Sequence, residues 1–307
     1  YERDAVQDAC GIQQETAEAR AWLLEMLPRL ENSVDLLAGR PPAPLKDELK
    51  AHTDENLAFR VFELNGLTRE ESLDYFAKMA EREPSLKRIP DQVRHRVWEY
   101  TEGRPIRLSL AIDLVLHGQD IADLFPPRPD SALDSDQPSI DERLVGELLR
   151  LPSPARDVLH YLILARRGLN AELLDHLEPD WDLKTCHENL EDMRRFTFVK
   201  PRPGSNLLFL HDELYDMADR FYPARRQDRH YSYQRIAQYY QRQIEALQED
   251  RKQAHSDVGR LRDLKVDCLY YELQLDPWKA FWQSYVRWDE EAVRAYDMEL
   301  DARLRAE

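Results

Sequence analysis

Arg40 is a candidate to bind a terminal phosphate. It follows residues 34–38, an apolar run typical of a short buried strand, and precedes a Pro41-Pro42 break. Helix, strand and loop in this order is the layout of an open α/β sheet, whose ligands lie at the carboxyl ends of the strands. A guanidinium at that end can bind a γ-phosphate through its forked donors. A surface arginine before a loop is the alternative interpretation.

His211 is the second candidate, because it lies between an apolar strand-like segment and a predicted helix at residues 212–222. Helix N-termini attract anions, and an imidazole N–H there adds a donor for a phosphate oxygen. Asp212 can cap this helix or orient the imidazole. The alternative is a capping aspartate beside a histidine whose hydrogen bonds are satisfied inside the fold.

Residues 101–116 read as a turn followed by an amphipathic helix that could position a ligand. Gly103 frees the chain to turn. Pro105 suits the first turn of a helix, because its missing N–H would be unpaired there. The apolar positions that recur at helical spacing, and so predict one buried face, are Leu108, Ala111, Ile112 and Val115. A buried helix that merely starts with proline is the alternative.

Three short motifs follow one another along the chain: Leu36-Leu-Ala-Gly-Arg40, Gly103-Arg104-Pro105 and Leu210-His211-Asp212. With the helix and hairpin pattern between the last two, they resemble the C-terminal part of STAND NTPases, the signalling ATPase class that includes NACHT and NB-ARC proteins. In that family a strand ends in a sensor arginine, a Gly-x-Pro turn holds the nucleotide base, and a Met-His-Asp histidine reaches the β-phosphate. The resemblance covers roughly residues 16–222.

The resemblance implies a nucleotide site for ADP or ATP, with Mg²⁺ in the full-length protein. Its nucleotide-binding residues would be Arg40, Gly103, Pro105, His211 and Asp212. The chain contains no G-x-x-x-x-G-K-[ST] loop, and no apolar strand before Arg40 ends in paired acids, so the parts that hold and cleave ATP are missing. In the family those parts precede the sensor strand, and we expect them upstream of Tyr1. We assign no catalytic residue and no metal ligand, and whether the chain acts within an enzyme stays open.

Composition favours a mostly helical protein, since 42% of residues are hydrophobic, 33% are charged and only nine are glycine. The formal net charge of −16 repels phosphate backbones, so we do not expect a nucleic-acid partner. The three cysteines are far apart and form neither a disulfide framework nor a zinc motif, which fits a reducing, cytoplasmic location. We recognise no membrane span and no signal peptide.

The predicted fold class is mostly α, with the tail end of an α/β nucleotide-binding domain. Residues 1–66, with a second strand at 58–64, would complete the α/β core, and residues 67–125 a helical lid that begins with a capping box at Thr68. A linker at 126–140, rich in proline and serine, is where a closed-to-open rotation can hinge.

Residues 141–223 predict a winged-helix domain. Asn170 and Asp182 are its expected N-caps, and strands at 196–200 and 207–210 flank a turn-rich wing. The candidate reading helix at 182–195 carries nearly balanced charge. A structural winged helix that packs on the nucleotide domain therefore fits better than a DNA reader.

Residues 224–307 are predicted to be helical and resemble tetratricopeptide repeats, with Asp276-Pro277 starting one helix and Asp289 opening the last. A helical bundle that caps the winged helix is the alternative.

The resemblance implies a regulatory switch. In the family, ADP locks the winged helix onto the ATPase core, a signal sensed by C-terminal repeats releases it, and ATP-bound subunits assemble to activate an effector. Bacterial members act in transcription control and in antiviral defence. The expected partners are ATP or ADP, a protein trigger at the C-terminal helices, and further copies of the chain. The alternatives are a helical adaptor that binds only proteins, and a LuxR-like transcriptional regulator whose DNA reader lies elsewhere.

Overall fold

The structure is a computed structural model that describes residues 25–26, 65–126, 138–222, 226–251 and 258–307. Nearly all of these residues belong to one compact unit, Gly66–Arg305 with Glu307. The described residues are mostly α-helical with one small antiparallel sheet, which confirms the coarse fold class. The predicted strands at 34–38 and 58–64, Arg40, and most of the predicted linker lie outside the described residues.

Residues 69–124 form a helical group that begins with the predicted capping box. The Thr68 side chain accepts a hydrogen bond from the Glu71 N–H, and the Glu71 carboxylate accepts one from the Thr68 N–H at 2.8 Å. This confirms the predicted helix start. The elements of the group are α1 (Arg69–Arg82), a 3₁₀ turn (Pro84–Arg88), α2 (Asp91–Thr101), α3 (Pro105–Leu116) and α4 (Ile121–Leu124).

Helix α3 is buried almost all round, whereas we predicted a single buried face. It packs against α2, α4 and the helix at 140–148, so no side of it is left to solvent along most of its length. Periodicity alone could not predict this, because an amphipathic pattern assumes one neighbouring layer. The apolar side chains of α3 that are buried are Ile106, Leu108, Leu110, Ala111, Ile112 and Leu114, and Val115 is half-buried.

The next group runs from residue 140 to residue 221 and contains the only sheet of the described residues. Its N-caps at Asn170 and Asp182 are as predicted, each accepting a hydrogen bond from a backbone N–H three residues further on. Its elements are α5 (Ile140–Leu148), α6 (Ala155–Leu164), α7 (Ala171–Leu177), α8 (Leu183–Met193), β1 (Val199–Pro201), β2 (Leu208–Leu210) and α9 (Asp212–Phe221).

The two strands form an antiparallel hairpin with Val199 opposite Leu210. The first strand begins later than the predicted residue 196, because the Thr197 N–H donates to a side chain of α3 and not to a neighbouring strand. On its other side, β2 exchanges two backbone hydrogen bonds of 2.9 Å between Leu208 and Leu169. The hairpin is therefore anchored to the loop between α6 and α7.

The C-terminal helices are α10 (Arg226–Arg251), α11 (Val258–Leu275), α12 (Pro277–Ala280), α13 (Val286–Ala295) and α14 (Met298–Arg305), with a π-helical turn (Phe281–Tyr285) joining α12 to α13. Asp276 caps α12 as predicted. Asp289 does not open the last helix, because it lies inside α13 with no chain breaker before it. Tyr296, in the left-handed region at φ 55°, ends α13, and Asp297 caps α14 through the Leu300 N–H at 3.0 Å.

Each group of helices packs against the group that follows it in the chain. Helix α5 lies against both α3 and α9, so it joins the two groups on either side of residues 127–137. Helix α10 packs against α6 and α7, and α11 packs along α10. The predicted domain boundaries at residues 126 and 223 fall between these groups and stay predictions. Among the described helices, none is long and apolar enough to span a membrane.

Candidate functional site

The turn between α2 and α3 requires the glycine that the sequence places there. Gly103 has φ +66°, and a Cβ at this position would lie 1.9 Å from the Leu67 carbonyl oxygen. The Leu67 N–H donates to the Gly103 carbonyl at 2.7 Å, so the two backbones cross in direct contact. The fold itself therefore requires glycine at position 103.

Pro105 is the first residue of α3 and is exposed, in keeping with the predicted helix start. Arg104 is the N-cap residue of α3 and makes no side-chain cap hydrogen bond. The Arg104 guanidinium instead faces outward, 3.9 Å from the Glu102 carboxylate. The N-terminus of α3 thus presents an exposed proline ring beside a cation.

His211 is itself the N-cap of α9, a role we had offered to Asp212. Its Nδ1 accepts a hydrogen bond from the Glu213 N–H at 3.3 Å, and its own backbone N–H donates to the Phe198 carbonyl at 2.9 Å. Asp212 is the first residue of the helix and is exposed. Because Nδ1 accepts, the proton of the neutral ring resides on Nε2, which is the nitrogen that can donate.

The fold brings the Gly103-Arg104-Pro105 turn and the start of α9 together, although they are far apart in sequence. Arg104 Nη1 lies 3.7 Å from Glu213 Oε1. Arg104 is the N-cap of α3 and Glu213 is in the first turn of α9, so two helix N-termini meet at this ion pair. Both dipoles present their positive ends here, which favours an anion.

An ion pair that we did not predict braces this junction. Arg107 on α3 donates to both Asp141 oxygens, at 2.7 and 2.9 Å, and to Glu102 at 3.2 Å. The bidentate pair ties α3 to the first turn of α5 and is largely buried. The signal for this ion pair in the sequence was a charged residue among the apolar residues of α3.

A buried carboxylate, also missed, holds the other end of α3 to the hairpin. Asp113 Oδ2 accepts hydrogen bonds from the N–H and from the hydroxyl of Thr197, each at 2.8 Å. Burial raises the pKa of Asp113 to about 7, and the Thr197 hydrogen bonds oppose that rise. One turn further on, His117 stacks on Phe196 with ring centroids 4.1 Å apart.

Arg166 connects the body of α9 to the loop after α6. Its guanidinium lies 2.5 Å from the Asp219 carboxylate and 4.8 Å from the centre of the Tyr215 ring. The Tyr215 hydroxyl accepts a hydrogen bond from the Leu210 N–H, the residue before His211. The position of His211 therefore depends on Arg166 through one intervening ring.

The neighbouring Arg167 turns the opposite way, towards the C-terminal helices. It lies over the Tyr270 ring at 4.5 Å, its N–H donates to the Tyr271 hydroxyl at 3.1 Å, and it pairs with Glu307. Two adjacent arginines thus tie α9 and α11 to a single loop.

Comparisons with protein-family models, with curated proteins and with solved structures return no match for this chain. The functional interpretation therefore relies on the geometry above and on the motifs. Of the five predicted nucleotide-binding residues, Gly103 and Pro105 flank Arg104, His211 and Asp212 precede its partner Glu213, and Arg40 lies outside the described residues. Within the described part of the chain, no group of His, Cys, Asp or Glu residues could hold a metal ion.

Proposed function

We propose that this chain is the regulatory part of a STAND-type signalling ATPase, a nucleotide-dependent switch that is held off by ADP and turned on by ATP. The observation that carries the proposal is the contact between Arg104 and Glu213, because it joins the Gly-x-Pro turn to the helix that His211 caps. A nucleotide that touched both motifs would need them side by side. Unrelated three-residue matches would have no reason to meet in space.

The residues of the junction fit an anionic ligand. The Nε2–H of His211 would donate to a β-phosphate oxygen, and the exposed ring of Pro105 would contact the base. Glu102 and Glu213 now share Arg104, so a bound phosphate would compete with these carboxylates for the guanidinium. Arg40 is proposed to read the γ-phosphate. Mg²⁺ would neutralise phosphate charge in the full-length protein, as it does in other ATPases of the P-loop class.

The order of elements from α5 to α9 supports a winged-helix domain. Helices α6, α7 and α8 are followed by a two-stranded hairpin whose loop, residues 202–207, would be the wing. Helices α10 to α14 fit the start of a helical-repeat region, which we propose as the site of a protein trigger. Release of the lock would then allow copies of the protein to assemble, for example in antiviral or regulatory signalling.

Charge on α8 argues against a DNA-reading role. The exposed cations on α8 and just after its end each pair with an acid on α8: Lys184 with Glu188, Arg194 with Glu191 and Arg195 with Asp192. A reading helix needs unpaired donors for phosphates and base edges. We therefore propose a structural winged helix that responds to the nucleotide.

The test is the nucleotide content of the full-length protein, which is purified, denatured and analysed by chromatography. We expect ADP to co-purify in near-stoichiometric amount with the wild type and to be lost from His211→Ala. His187→Ala is the matched control, since His187 is exposed on α8 and remote from the junction. Absence of bound nucleotide, with no thermal shift on adding ADP or ATP, would reject the switch and favour the helical adaptor.

A further inference from the structure

An exposed group of aromatic rings lies on the helix that starts at Pro277. Trp278, Phe281 and Trp282 are 74%, 41% and 56% exposed, and half-buried Tyr285 adjoins them. We call these four residues the aromatic face. Large rings exposed side by side are uncommon on a soluble surface and mark sites of association, since each ring gains free energy when it leaves water.

The rings of the aromatic face hold one another in place. Phe281 stacks on Tyr285 at 5.2 Å and meets Trp282 edge to face at 5.2 Å, and Trp282 meets Trp278 at 5.9 Å. Because they are already ordered, little side-chain entropy would be lost on binding. A preformed surface of this kind suits a partner that is itself rigid.

The opposite side of the same helix is already used by the fold. Ala280, Ser284, Trp288 and Ala292 recur every four residues and are all buried. The helix therefore docks on the protein through that stripe, and the aromatic face is not needed to hold it there.

Helix α14 covers the aromatic side of this helix only towards its C-terminal end. The carboxyl groups of Asp301 on α14 and Asp289 on α13 lie together, and Arg305, which pairs with Asp301 at 2.9 Å, lies close to Tyr285. At about 1.5 Å per residue, the eight residues of α14 reach only about 12 Å, against about 28 Å for residues 277–295. The surface on which α14 packs thus continues past Arg305 onto Phe281, Trp282 and Trp278.

We infer that the aromatic face binds an amphipathic α-helix of a partner protein, laid end to end with α14. The continuity with the α13–α14 interface gives the shape of the occupant, an apolar stripe at i, i+4 and i+7. Lys279 is exposed beside Trp278 and gives the charge of its flank, since an acidic residue on the partner helix would complement this cation. The inference is independent of nucleotide binding.

The test uses the full chain and a synthetic probe, a hydrocarbon-stapled helix with leucines on one face and glutamates on the other. Covering Trp278 and Trp282 moves their emission to shorter wavelength, and we expect a saturable blue shift on titration. Trp282→Glu is expected to raise the dissociation constant at least tenfold. Tyr231→Glu, at a tyrosine that is 61% exposed on α10, is the matched control and should bind as the wild type does.

Each further outcome decides the inference. Weaker binding to Lys279→Glu, together with weaker binding of a lysine-flanked staple to the wild type, would support the acidic-flank assignment. Equal binding of a scrambled staple, or no loss in Trp282→Glu, would overturn the docking site. A wild-type dimer in solution that Trp282→Glu converts to a monomer would also overturn it, because the occupant would then be a second copy. Circular dichroism verifies that each variant is folded.

Discussion

Asp113 on α3 accepts two hydrogen bonds from Thr197, although the two residues are 84 positions apart in the chain. The contact fastens the proposed lid to the entrance of the hairpin. A hinge at the predicted linker could therefore open only if this carboxylate released Thr197.

We predict that Asp113 makes the protein less stable as pH rises from 4 to 7. Burial raises the folded-state pKa of Asp113 from 3.8 to about 7, so the folded chain binds more protons than the unfolded chain in this window. Asp113→Asn retains an acceptor for Thr197 without the charge. This variant should reduce the dependence of the free energy of unfolding on pH between pH 4 and pH 7. At about 1.4 kcal/mol per pKa unit, it should also raise the free energy of unfolding at pH 8 by a few kcal/mol.

Urea unfolding across this pH range checks the prediction. Asp267, whose pKa burial also raises to about 7, serves as the comparison, so part of the slope should persist in Asp113→Asn. An unchanged slope in Asp113→Asn would mean that Asp113 ionises freely in the folded state.

Gly103→Ala is expected to destabilise the fold by more than about 2 kcal/mol. The new Cβ would meet the Leu67 carbonyl oxygen at 1.9 Å in a backbone conformation that alanine disfavours. Gly204→Ala is the control, because φ there is +76° but nothing lies within 4 Å, and it should cost about 1 kcal/mol. Denaturant midpoints of the two variants, measured under the same conditions, check the prediction. Equal losses of stability in Gly103→Ala and Gly204→Ala would argue against the close contact between the backbones at Gly103 and Leu67.

The Arg107–Asp141 pair should show strong energetic coupling in a double-mutant cycle with Arg107→Gln and Asp141→Asn. The side chains are 10% and 18% exposed, and the pair is bidentate, so we expect about 1–3 kcal/mol. The exposed pair Arg294–Glu290 is the control, for which about 0.5 kcal/mol or less is expected. A coupling for Arg107–Asp141 as small as the control would remove its role as a brace.

His211→Asn separates the structural role of His211 from its proposed contact with phosphate. Asparagine caps helices well, so α9 and the free energy of unfolding should be preserved within about 0.5 kcal/mol. ADP retention in the full-length protein should nevertheless fall, because the amide of asparagine is too short to reach where Nε2 donates. Normal ADP retention in this variant would show that His211 acts only as a cap.

Much of the local structure was predictable because it depends on neighbours in sequence. The capping box at Thr68, the caps at Asn170, Asp182 and Asp276, and the proline that starts α3 each act within one helical turn. The strand that precedes His211 was likewise predictable, because it is a short apolar run before a helix. The start of the last helix was predicted wrongly, since its break depends on the left-handed residue Tyr296 and not on a typical breaker.

The sequence by itself determined which segments are helical, where most of them begin, and which short motifs could bind a nucleotide. Only the tertiary structure decided that Arg104 meets Glu213, that α3 is buried almost all round, and that Asp113 and Arg107 are buried with partners. It also decided which face of residues 277–295 stays exposed. The physical reason is range: caps and turns are set within about four residues, whereas burial and ion pairing depend on which distant segments the whole chain packs together.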